Sequence, residues 1–206
     1  MNDLEIAAGR TLFPLIRGES LEVPESEAAL LATWAVKTAM VRGRVDGDPY
    51  AVPAEHRSFL MQNVCPPSNT TVWVATCQPH SNAVVRHLRL YGELPATPLT
   101  EVDSDGEVWM TGVRENYSLG HATTIVINSL TLLVTEADSS DLADAIAVAP
   151  FSTVAGGALH RLWPDPQAFS WPFKRVLTPM LVGAISGLAG KAAGNGNTLS
   201  WIPDSW

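Results

Sequence analysis

The sequence predicts an α+β domain in which N-terminal helices pack on an antiparallel sheet of about five strands. Three observations predict it. Apolar residues recur at helical spacing in the first third of the chain and at strand spacing from Thr70 onward. Helices that precede a run of strands, rather than alternating with them, favour segregated layers. Finally, 206 residues, 46% hydrophobic and 17% charged, suffice for a core and exclude a disordered chain. Residues 1–172 are read as that single domain and residues 173–206 as an apolar, glycine-rich C-terminal arm.

The elements follow in order. Residues 3–17 read as a short helix stopped by Gly18. Pro24 opens a second helix, with Glu25 and Glu27 in its first turn, Arg42 and Arg44 at its end and Gly43 as its C-cap, signs that match the helix dipole. Leu31, Trp34, Ala35 and Thr38 form its apolar stripe and lay Trp34 into the core. Pro53–Asn63 is a weaker helix ended by Cys65-Pro66-Pro67. Thr70–Cys77 is β-branched and aromatic, and Trp73, Ala75 and Cys77 share one face of that strand. Ala83–Tyr91 is the next strand, joined to it by the hairpin loop Gln78–Asn82. Glu93–Asp105, acidic and proline-rich, reads as an exposed loop, and Glu107–Val113 as a third strand. His121–Thr135 is apolar on both faces and reads as the central strand. A short helix from near Ser139 or Ser140 and a last strand, Gly157–Trp163, stopped by Pro164, complete the domain.

Charge is uneven. Residues 1–92 carry a net −1, residues 93–150 a net −9 with Arg114 as the lone base, and residues 151–206 a net +2, for −8 in all. A nucleic-acid binder shows a basic face or stripe, and none is evident, so nucleic acid is a disfavoured partner. Arg86, Arg89, Arg161, Lys174 and Arg175 could assemble a small basic patch, although scattered surface arginine is the commoner case. Met1–Arg17 holds Asp3, Glu5 and Arg10 and no apolar run of the signal-peptide kind. The most apolar stretch, Val176–Gly190, is interrupted by Pro179 and falls short of the ~20 residues of a membrane span. The expected location is therefore the cytoplasm.

Motifs of known chemistry are absent: there is no G-x-S-x-G, P-loop, G-x-G-x-x-G or H-E-x-x-H, so no catalytic residue is assigned. Cys65, Cys77, His80 and His87 are spaced C-x11-C-x2-H-x6-H, with only the Cys77/His80 pair tight, where structural zinc sites show two such pairs. The reading is no metal and no cofactor, with Cys77 a core residue; a Cys65–Cys77 disulfide is the other use of the pair. His121 and His160 fall on strands and read as hydrogen-bonded structural residues, and Asp46 and Asp48, in an Asp-Gly-Asp-Pro string, as turn formers.

Several strings together resemble a family. The chain runs Met1-Asn-Asp-Leu-Glu5, Pro14-Leu-Ile-Arg-Gly-Glu19, Leu30–Val41 (LLATWAVKTAMV), Val52-Pro-Ala-Glu-His-Arg57, Pro66-Pro-Ser-Asn-Thr-Thr-Val-Trp73, and then Trp163-Pro164 and Trp171-Pro172. This is similar to the non-nuclease half of small HNH-endonuclease-like proteins of actinobacteria and their phages, over roughly residues 1–172. The helix string is its most specific part. In that family a zinc-holding nuclease module with cysteine pairs precedes the Met-x-x-Leu-Glu point, where this sequence starts, and no cysteine lies before Cys65. The resemblance therefore implies a phage or mobile-element setting and carries over no catalytic residue.

Two functions follow. The first is a non-enzymatic interaction protein binding a host or phage macromolecule; Arg86, Arg89, Trp163, Trp171, Trp201 and Trp206 are its candidate contacts. The alternative is a DNA-binding or accessory module of an HNH-type nuclease. The arm 173–206, with five glycines between Gly183 and Gly196 and tryptophans at 201 and 206, is expected to mediate self-association ahead of packing on its own core.

Overall fold

A computed structural model describes residues 2–46, 52–102, 108–140, 142–144, 146 and 157–188. It shows the expected α+β architecture. Helix α1 spans Asn2–Arg17, strand β1 Leu21–Val23, helix α2 Glu25–Val45 and helix α3 Ala54–Asn63. Strands β2 (Thr70–Cys77), β3 (Val84–Val102), β4 (Val108–Ile127), β5 (Leu130–Ala137), β6 (His160–Trp163), β7 (Phe169–Trp171) and β8 (Val176–Leu177) follow, and helix α4 spans Pro179–Leu188. The main sheet has the order β3-β4-β5-β2-β6, with β8 beside β2 and parallel to it. Strands β1 and β7 form a separate antiparallel pair.

Helix α1 ends where expected: Gly18 takes φ +70° and its N–H bonds the carbonyl of Leu15. In α2 the expected cap is displaced. Gly43 is buried inside the helix, which continues to Val45 and is capped by Asp46, whose N–H reaches the carbonyls of Arg42 and Arg44. An Arg42–Asp46 ion pair at 2.7 Å draws the chain through that extra turn. The buried stripe of α2 includes Leu31, Ala35, Ala39 and Gly43, while Trp34 is half-buried at its margin. The side chain of Lys37 donates to Glu5 and ties α2 to α1.

The strand assignments need three corrections. First, residues 93–102 are not a loop: β3 continues to Val102 and pairs with β4 from Val84↔Val126 to Val102↔Val108. Register shifts between Leu94 and Thr97 and between Leu99 and Thr100 fall beside Pro95 and Pro98, and bulges in a two-stranded ribbon accommodate proline. Second, His121–Thr135 is two strands. Asn128, at φ 49°, and Ser129 make a two-residue turn between β4 and β5. The turn is buttressed by α1, since the Asn128 side-chain amide and the Ser129 N–H both donate to the carbonyl of Ile16. Third, β2 and β3 are not a hairpin. Strand β5, buried at all eight positions, takes the centre between β4 and β2, so the connection from β2 to β3 crosses two strands.

Both faces of the sheet are covered. Val72 and Val74 of β2, with Leu130, Leu132 and Val134 of β5, meet α1, α2 and α3. The alternate residues Ala75, Cys77, Leu133 and Ala137 form a second cluster with Leu142, Ile146, Leu177, Val182 and Ile185, and Trp73 packs against it. Residues 140, 142–144 and 146 are helical, begun by Ser139, whose Oγ accepts from the Leu142 N–H at 3.3 Å. The C-terminal arm is thus built into this domain as far as residue 188: Leu177 and Ile185 are fully buried. Among the described residues no helix is long and apolar enough to cross a membrane.

Candidate functional site

The pleat that builds the core also gathers polar residues on its helix-covered face. Strand β4 presents His121 and Thr123 in line with Ile125, and β5 presents Glu136 in line with Val134 and Leu132. The hairpin register places His121 opposite Glu136, and the β3–β4 register places His87 opposite Thr123. Gly120 allows the close approach, since a Cβ there would lie 2.8 Å from the carbonyl oxygen of Glu136. From above, α3 lowers His56 onto this group.

The result is a connected line of polar side chains. His56 Nδ1 lies 2.6 Å from Glu136 Oε1, and Glu136 Oε2 lies 3.8 Å from His121 Nε2. The His121 and His87 rings are 5.1 Å apart, and His87 Nδ1 is 2.8 Å from Thr123 Oγ1. Glu136, His121 and Thr123 are buried, and the side chain of His56 is 15% exposed. The hydrogen bond to Glu136 raises the pKa of His56 above its ordinary value, with the nearby charges of Glu136, Glu55 and Asp138 adding to the effect and burial opposing it. His56 is thereby favoured as an imidazolium that donates to the Glu136 carboxylate. Among the described residues no group of three or more His, Cys, Asp or Glu is arranged to hold a metal ion.

The residues singled out from the sequence are dispersed. His87 belongs to the buried line just described. Cys65 and Cys77 are both free thiols, Cys65 in the connection between α3 and β2 and Cys77 at the end of β2; Cys77 is buried, its Sγ 3.1 Å from the carbonyl of Asn128, and burial pushes its thiol pKa up. Trp163 is half-buried, with Nε1 donating to the carbonyl of Pro67 at 3.4 Å. Trp171 is buried, edge-on to Phe173 at 5.4 Å. Both precede cis prolines, and both are walls of the helix-side core. His160 stacks near Phe169 and Phe173, and burial lowers its pKa. Trp201 and Trp206 lie outside the described residues.

Arg86 and Arg161 stand apart. Arg86 lies on β3 at one edge of the sheet and Arg161 on β6 at the other, four strand spacings or about 19 Å apart. Arg89 stands opposite His121 in the β3–β4 register. Arg86 instead shares a cleft of about 220 Å3 with His80, on the face opposite the buried histidines.

Sequence reasoning did not connect His56, Glu136 and His121. The signal that could have done so was Asn128-Ser129: read as a two-residue hairpin turn, it pairs position 121 with position 136 directly. No protein-family model matches the chain, and no curated protein or solved structure resembles it significantly.

Proposed function

We propose that this chain is a non-enzymatic interaction protein of a phage or mobile element, working in the cytoplasm of a bacterial host and holding a macromolecular partner through the β3–β4 ribbon. The observation that carries the reading is the length of that ribbon. Strand β5 pairs with β4 only from Gly120 to Ile127, whereas β3 and β4 remain paired with each other out to Val102 and Val108. Twelve further residues per strand, about 40 Å at ~3.3 Å each, run past the sheet as a two-stranded arm. Strand edges of that length, with no further strand paired to them among the described residues, offer main-chain hydrogen bonds to a partner. Residues 91–119 carry one arginine against six acids, which suits a basic protein surface and repels a phosphate backbone.

The phage or mobile-element setting rests on the resemblance at Leu30–Val41 and Val52–Arg57 alone. Self-association through the tail that holds Trp201 and Trp206 belongs to the same proposal.

The test is a photo-crosslinking amino acid placed at Thr97 or Val113 in the ribbon, with Arg44 on α2 as the control site. The expected result is a discrete adduct from the ribbon positions in the bacterial host, weakened by salt, and none from the control. No ribbon adduct, or hydrolysis of DNA or RNA by the purified chain with a divalent metal, overturns the proposal.

A further inference from the structure

The cleft beside Arg86 has the chemistry of a small-ligand site. Its floor comes from the strand pair: Val84 and Arg86 of β3 lie opposite Val126 and Thr124 of β4, on the face away from the histidines. Pro179, Val182 and Gly183 of α4 form the facing wall, and His80 stands at the rim, placed there by the bond from its N–H to the carbonyl of Asn128. Three valines and a proline make the lining mostly apolar. No acidic residue lines the cleft, and Arg86 makes no ion pair with any described residue. In a chain of net charge −8 this is a local cationic point with an apolar floor.

We propose that this cleft binds a small carboxylate bearing a short alkyl chain. The planar guanidinium of Arg86 offers paired N–H donors that match the two oxygens of a carboxylate, and His80 adds a donor at the rim. The alkyl chain lies along Val84, Val126 and Val182, where its burial removes apolar surface from water. The size sets the limit on chain length: about 220 Å3 is below the ~300–1,000 Å3 of sites for drug-sized ligands. A Cβ built at Gly183 meets nothing within 4 Å, so a larger side chain there has room to occupy the cleft. This site lies on the body of the domain and stands or falls independently of the ribbon.

The experiment is a titration of the full chain with hexanoate at low salt, followed by calorimetry and by amide chemical shifts. Hexan-1-ol tests the charge, and inorganic phosphate tests the need for a tail. Hexanoate is expected to bind saturably, with hexan-1-ol and phosphate each at least about tenfold weaker. Arg86→Ala removes the cation from an exposed position, and Gly183→Leu fills the cleft while leaving Arg86 in place. Each is expected to weaken hexanoate by at least about tenfold with the thermal transition unchanged. No saturable binding up to about 10 mM hexanoate overturns the proposal. So does phosphate binding as well as hexanoate, or hexanoate binding that survives both substitutions.

Discussion

Glu136 is 1% exposed, and a carboxylate so placed needs a donor or a counter-charge, because its desolvation is otherwise uncompensated. His56 supplies both, at 2.6 Å, from a helix that buries little else: Leu60 is the buried residue of α3, while Phe59 and Met61 are exposed. The ion pair is thus a principal attachment of α3 to the sheet. Replacing His56 by Ala leaves the buried carboxylate without that partner and is expected to cost about 2 kcal/mol, measured by urea unfolding near pH ~6. The dependence on pH has a definite sign. The folded-state pKa of His56 is raised above its ordinary value of 6.5, so its stabilising contribution is complete below that value and is lost as pH rises through the raised one. The gap between the natural chain and His56→Ala should therefore narrow by pH ~9, whereas a gap that widens there contradicts the assignment of charge to His56.

At the scale of elements, α4 shows why the C-terminal arm resists reading from composition. Its apolar, glycine-rich composition suggests self-association ahead of packing on its own core, yet Ile185 is fully buried against the sheet and Met180 is 79% exposed on the same helix. Ile185→Ala is expected to destabilise by about 2–4 kcal/mol, whereas Met180→Ala should stay within ~0.5 kcal/mol; calorimetric unfolding of the two variants separates them. Equal effects would mean that α4 does not pack by that face. The helices were legible beforehand because caps and periodicity are local: Pro24, Glu25 and Glu27 announce α2, and Gly18 ends α1. Strand β2 was legible to the residue. What stayed hidden was pairing. Asn128-Ser129 lies inside an apolar run, so β4 and β5 read as one strand, and their true register, which brings His121 to Glu136, disappeared with the turn. Pro95 and Pro98 likewise argued for a loop, because a bulged two-stranded ribbon tolerates residues that a central strand does not. His56, Glu136 and His121 come together only through this tertiary pairing, and no sequence spacing records it.

For the molecule as a whole, the central strands β2 and β5 are covered on both faces, and the second cover comes partly from residues 176–188. A chain cut after residue 175 loses Leu177, Val182 and Ile185, which uncovers Ala75, Leu133 and Ala137. Such a truncation removes part of the core, and any change in its mass in solution would follow from exposed apolar surface rather than from a lost contact between copies. A cut after residue 188 is the informative one. It keeps β8 and α4, removes Trp201 and Trp206, and takes away Lys191 together with Asp204, so the net charge stays at −8. With the charge unchanged and an equal melting temperature showing the fold intact, a difference in mass reports the tail itself. Light scattering is expected to show association of the full chain and a monomer for residues 1–188, with the same melting temperature for both chains. Equal masses for the two would remove the tail from any role in assembly and leave the β3–β4 ribbon as the element that meets a partner.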